Sequence, residues 1–93
     1  MAAIARIKWS EYMTYRAKIR RFDLEKPEHI VRHSPERYFD ANTKRFVTIG
    51  RRDKNLVIIP YEANGDTLTP ITVHAITRQQ IKFRLKSGRF TYA

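Results

Sequence analysis

The spacing of apolar positions divides the chain into an alternating start, a helical first third, a strand-rich middle and a helical end. Residues 4–9 (IARIKW) alternate apolar and basic, which predicts a short first strand with Ile7 and Trp9 on one face. Ser10 then has the chemistry of a helix N-cap. Tyr12, Tyr15, Ile19 and Phe22 recur at spacings of three, four and three, an amphipathic stripe that predicts a helix ending near Arg21. A second helix opens at Asp23, with Pro27 in the first turn, where its missing N–H has no intrahelical partner. Ile30 and Val31 face inward, and Ser34-Pro35 ends it.

From Glu36 the period changes from helical to two. Residues 37–40 and 44–50 predict two antiparallel strands joined by Ala41-Asn42-Thr43. Residues 51–55 form a polar turn, and residues 56–62 (LVIIPYE) are the most apolar strand, covered on both faces. Pro60 within it marks a bulge or a locally unpaired edge. Asn64-Gly65 between two apolar runs predicts a type I′ hairpin, with residues 68–76 as the returning strand. The stretch 71–90 combines that strand with a helix opened by Thr77, which stands three residues before Gln80 as in a capping box. The helix stops at Gly88; Ile81 and Leu85 form its buried side and Phe83 points out. Residues 88–93 form a short extra strand or a tail. The sum is an α+β domain of residues 1–93, with an antiparallel sheet of about four to five strands, an N-terminal helix pair and a basic C-terminal helix.

Charge adds what the pattern lacks. The 93 residues carry 19 Lys plus Arg against 9 Asp plus Glu, a formal net charge of +10. Five of those cations (Arg78, Lys82, Arg84, Lys86 and Arg89) fall in residues 67–93, which contain no acid. A polyanion is the implied partner, nucleic acid before an acidic protein or an anionic membrane. No cysteine is present, which excludes disulfides, thiol nucleophiles and Cys-based zinc sites and suits a reducing cytoplasm. The start lacks the apolar core of a signal peptide, and no run is long enough to span a membrane.

Several short motifs resemble the small RelE-type toxin fold of toxin-antitoxin systems, especially its BrnT branch. They are Ile7-Lys8-Trp9, Arg45-Phe46 followed by Ile49-Gly50, Leu56-Val57-Ile58-Ile59 leading to Tyr61, and Ala75 followed by Thr77-Arg78. The resemblance spans about residues 7–86. It departs at Arg20-Arg21-Phe22-Asp23, where that branch has a Lys-His-Gly turn, and at Gln79-Gln80, where an acid is usual. It implies a metal-independent endoribonuclease acting on messenger RNA and silenced by an antitoxin chain.

Cleaving RNA without a metal needs the 2′-OH deprotonated, the phosphorane stabilised and the 5′-oxygen protonated. His74 is the first candidate to move protons, since imidazole titrates near neutrality; its alternative is a half-buried packing residue. Tyr61 at the end of the apolar strand is a second candidate, or a core lid, and Glu62 is the nearest carboxylate. Arg78 in the first helical turn suits a phosphate, which Arg84 also holds if the ligand spans the helix, with Lys82, Lys86 and Arg89 adding RNA-binding field. Arg16 and Arg20 share a face of the first helix and extend that surface if the helix lies beside the last strand. Phe83 is placed to stack a base or to meet a partner. His29 and His33, four apart, have metal-ligand spacing but no third ligand fixed by sequence, although Glu25 or Glu36 lies near. No metal and no cofactor is expected. The preferred reading of these residues is a toxin-like metal-independent endoribonuclease; a non-catalytic RNA- or DNA-binding module and a basic interaction domain for an acidic protein are its alternatives.

Overall fold

A computed structural model describes residues 6–21 and 23–93. The sheet is mixed and has seven strands among the described residues, where the sequence predicts an antiparallel sheet of four to five. In chain order the elements are β1 (Arg6–Ile7), α1 (Glu11–Arg20), α2 (Glu25–His33), β2 (Arg37–Asp40), β3 (Arg45–Arg52), β4 (Asn55–Asn64), β5 (Thr67–Pro70), β6 (His74–Ala75), α3 (Arg78–Lys86) and β7 (Phe90–Tyr92). The strands lie in the order β1-β5-β4-β3-β2-β7, with β6 on the outer edge of β4 beyond β5. The parallel contact is β1 with β5, two residues long. Such a contact leaves no mark in a local period, because its partners, Arg6 with Thr67 and Ile7 with Leu68, are far apart in sequence. Ile4 and Phe22 lie outside the described residues.

Pairing in β3 and β4 sets the two faces. Ile49 stands opposite Ile58 and Gly50 opposite Val57, so alternate residues feed opposite layers. Val47, Ile49 and Ile58 pack with Tyr38, Ile76, Ile81 and Phe90 under α3. Val57 and Ile59 pack with Ile30 and Val31 of α2 on the other face. The strand β4 is therefore buried on both sides, as its unbroken apolar run predicts. Gly50 lets α2 approach β3 closely: a Cβ there would overlap the Ile30 side chain.

Pro60 lies where the partner of β4 changes from β5 to β6. Its carbonyl accepts from the Ile71 N–H at 2.8 Å, so its missing N–H points to the same edge, between two short strands. The predicted continuous strand over residues 68–76 is in fact β5, a crossing segment at 71–73, and the two-residue β6. The hairpin turn is also one residue later than expected. Asn64 pairs with Thr67, leaving Gly65-Asp66 as the loop, with positive φ at Gly65 alone, a type II′ pattern. The polar turn between β3 and β4 is shorter than expected too, since Arg52 pairs with Asn55.

Helix α3 begins with the predicted capping box, Thr77 accepting from the Gln80 N–H and Gln80 accepting from the Thr77 N–H. Ile81 is buried and Leu85 half-buried against the core. After Gly88 the chain returns as β7 along β2. Helix α1 starts at the predicted cap, Ser10 accepting from the Met13 N–H at 3.1 Å, but its buried side is Met13 and Ala17. Tyr12, Tyr15 and Ile19 face solvent. Two buried small or flexible side chains four apart suffice to seat the helix, and the larger aromatic stripe is left outside. No helix among the described residues is long and apolar enough to cross a membrane.

Candidate nucleic-acid interface

The crossing segment at 71–73 and the adjoining β6 position the residues of interest. They run along the outer edge of β4, with α3 on one side and α1 on the other. On the α3 side lies a recess of about 340 Å³ lined by His74, Arg45, Arg84, Arg89, Gln80 and Thr72, among others, and by no carboxylate. On the α1 side lies one of about 260 Å³ lined by Arg16, Arg20, Arg52, Met13, Thr72 and Val73. Thr72 lines both. Arg16 and Arg20 of α1 thus lie beside residues 72–73, part of the stretch that the sequence reads as the strand before α3.

The arginines of the first recess are not equivalent. Arg89 grips Asp40 through Nε and Nη2 at 2.9 and 3.0 Å, and the Asp40 side chain is 4% exposed. Burial, the largest influence, pushes the Asp40 carboxyl upward. The Arg89 hydrogen bonds, with those of the Asn42 N–H and the Thr43 side chain, outweigh it and hold Asp40 below its ordinary value. Arg45 donates to Glu62 at 3.2 Å, which occupies Glu62 in the neighbouring hollow with Lys44 and Phe46. Arg84 lies over the Phe90 ring, 5.5 Å from its centroid, and has no carboxylate partner among the described residues. His74 is exposed beside it.

The three proposed catalytic residues are not brought together. His74 pairs with Ile58 and so shares the α3 face, whereas Tyr61 pairs with Phe46 on the opposite face. Tyr61 is 5% exposed, accepts from Arg37 Nη1 at 3.2 Å and stacks on Phe46, the arrangement of a core lid. Arg78 stands at the far end of α3 from Arg84, six residues or about 9 Å along the axis. Its Nη1 meets Glu36 Oε2 at 2.5 Å, and the Tyr38 hydroxyl donates to the same oxygen at 2.6 Å.

Glu36 and Tyr38 did not figure as proton carriers in the sequence, where Glu36 has only an acid's spacing from His33. Their electrostatics explain what the cluster does. The hydrogen bond from Arg78 lowers the Glu36 carboxyl, against a smaller upward push from burial, with Tyr38 adding to the lowering. Burial, then the hydrogen bond to Glu36, pushes the Tyr38 hydroxyl up to about 12. A depressed base beside an elevated acid is the reverse of what proton transfer at neutral pH needs. The cluster fastens the start of α3 to β2.

No protein-family model, curated protein or solved structure matches the chain. The site therefore stands on its own geometry.

Lys82 and Lys86 are exposed on α3. Phe83 is 70% exposed and overhangs a shallow hollow of about 740 Å³ with Asn42, Gln79, Arg84 and Arg89, outside the core as its spacing implies. The His29 and His33 rings lie with centroids 4.7 Å apart and planes tilted by 50°. Among the described residues no group of three or more His, Cys, Asp or Glu side chains is placed to hold a metal, and neither Glu25 nor Glu36 completes one with the histidines. Arg45 enters the sequence reading only through the Arg45-Phe46 motif and Arg52 only within the polar turn; the strand register shows that they reach the two recesses.

Proposed function

We propose that the protein binds RNA through its backbone phosphates, along a path from the Arg16/Arg20/Arg52 recess across Thr72 to the His74/Arg84 recess. The single observation that carries this reading is the shared Thr72: two arginine-lined concavities meet at one half-buried segment, one on each side of the sheet edge. A guanidinium fork holds a phosphate through two oxygens, and successive seats suit a chain of phosphates better than one small anion. An acidic protein partner would be drawn by the same charge, but its carboxylates are not obliged to follow so narrow a path.

A second reading, a toxin-like metal-independent endoribonuclease, is favoured by His74 alone, which shares the recess with Arg84. There a neutral imidazole would take the 2′-OH proton as the 2′-oxygen bonds to phosphorus, Arg84 would stabilise the phosphorane, and the imidazolium so formed would give the proton to the 5′-oxygen as its bond to phosphorus breaks. Tyr61 and Arg78 have no part in that version, since one is a buried lid and the other is held by Glu36. Control by an antitoxin belongs with this reading and falls if there is no cleavage.

Labelled RNA incubated with the protein in EDTA, followed by anisotropy and a denaturing gel, separates the two. For a binding module the RNA stays intact, and Arg84→Ala or Arg16→Ala weakens affinity roughly tenfold, the worth of a charge-assisted hydrogen bond. Cleavage abolished by His74→Ala with affinity retained establishes the nuclease. Affinity indifferent to both arginines overturns the proposed path.

A further inference from the structure

The apolar stripe of α1 is exposed: Tyr12 is 50%, Tyr15 62% and Ile19 59% accessible. Helical steps of 100° place Arg16 and Arg20 between this stripe and the buried edge made by Met13 and Ala17. Both arginines line the α1 recess. Arg16 also belongs to the stripe, since its Nη1 donates to the Tyr12 hydroxyl at 2.7 Å and its Cζ lies 5.5 Å from the Tyr12 ring centroid. The rings therefore adjoin the phosphate path directly. Glu11 is the one acid of the helix, against Arg16, Lys18 and Arg20.

We infer that this face is a base-stacking platform, so that the ligand is RNA with unpaired bases rather than a duplex. The inference rests on the RNA-binding reading above and adds the strandedness of the ligand. A nucleic acid strand presents phosphates on one side and flat rings on the other, and α1 presents guanidinium groups beside aromatic rings in the same order. Each base stacked on an aromatic ring contributes to affinity irrespective of its identity. A duplex keeps its bases stacked on one another and can use only the phosphate seats. A second copy of this chain is the poorer occupant, because it would set Arg16, Lys18 and Arg20 against the same cations. An apolar protein surface would leave the cations without counter-charges.

The experiment is fluorescence anisotropy with a labelled single-stranded RNA of about 12 nucleotides, its duplex, and the full chain. The wild type is compared with Tyr12→Ala/Tyr15→Ala and Tyr12→Trp/Tyr15→Trp, whose folds are checked by circular dichroism. Both tyrosines are half or more exposed, so the substitutions remove little core. The expected result is tighter binding of the single strand by the wild type, a loss of about tenfold in the alanine variant for the single strand only, and retention in the tryptophan variant. Equal single-strand affinity in wild type and alanine variant, or wild-type preference for the duplex, overturns the platform while leaving the phosphate path standing. Failure of the wild type to bind either RNA overturns both.

Discussion

Arg21 closes α1 in the left-handed conformation, φ 54° and ψ 40°, while its N–H bonds to the Ala17 carbonyl. An L side chain there costs about 1 kcal/mol, which glycine avoids. Arg21→Gly is therefore expected to stabilise the fold by roughly 0.5 kcal/mol, after the larger entropy of an unfolded glycine is subtracted. A raised denaturant midpoint with unchanged slope is the measurement. Asp40 and Glu36 govern the acid limit. Both carboxyls titrate below their ordinary values in the fold, so their contribution is present above about pH 4 and is lost as pH falls through the depressed folded values. Tyr38 acts at the other limit: its elevated hydroxyl contributes below about pH 10 and loses that contribution as pH rises toward about 12. In urea melts against pH, Asp40→Ala should flatten the acid arm and lower stability by about 2 kcal/mol. That is less than a fully buried pair costs, because the stranded Arg89 side chain is 30% exposed.

The seating of α2 on β3 depends on one missing methyl group. Gly50→Ala would drive a Cβ into Ile30, and rigid packing between a helix and a central strand leaves little room to yield. The expected cost is about 1–3 kcal/mol, read as a lowered melting temperature with secondary structure retained below it. Elements with strong local signals were legible: the Thr77 capping box, the Ser10 cap, the Ile30-Val31 face and the double burial of β4 all follow from residue order. What was not legible depended on partners distant in sequence. Helix α1 carries two candidate faces, and the stripe Tyr12-Tyr15-Ile19 outweighs Met13-Ala17 in apolar mass. The choice is made by what lies across from the helix, the narrow segment at Thr72-Val73. The same holds for the site. Arg78 has every local mark of a phosphate ligand, yet Glu36, 42 residues away, takes its guanidinium, whereas Arg84, with no special local mark, keeps its charge.

That difference in pairing, more than the total of +10, decides how the molecule meets a polyanion. Arg45, Arg78 and Arg89 each face a carboxylate, so an approaching phosphate meets them already compensated. Among the described residues Arg16, Arg20 and Arg84 have no carboxylate partner, and they lie along the two recesses joined by Thr72. For a single strand, each phosphate neutralised adds about 0.7 to the negative slope of log affinity against log salt. Arg84→Ala should therefore make that slope shallower by about 0.7, whereas Arg78→Ala should leave it nearly unchanged, although both remove one formal charge. Titrations at four salt concentrations distinguish the two. Equal changes in both variants would mean that ligand responds to net charge alone. A loss confined to Arg78→Ala would mean that RNA displaces Glu36 and sits at the start of α3. The loss confined to Arg84→Ala follows only if binding is local to the recess, because the Glu36 carboxylate already cancels the field of Arg78 at the distances where a phosphate could sense it.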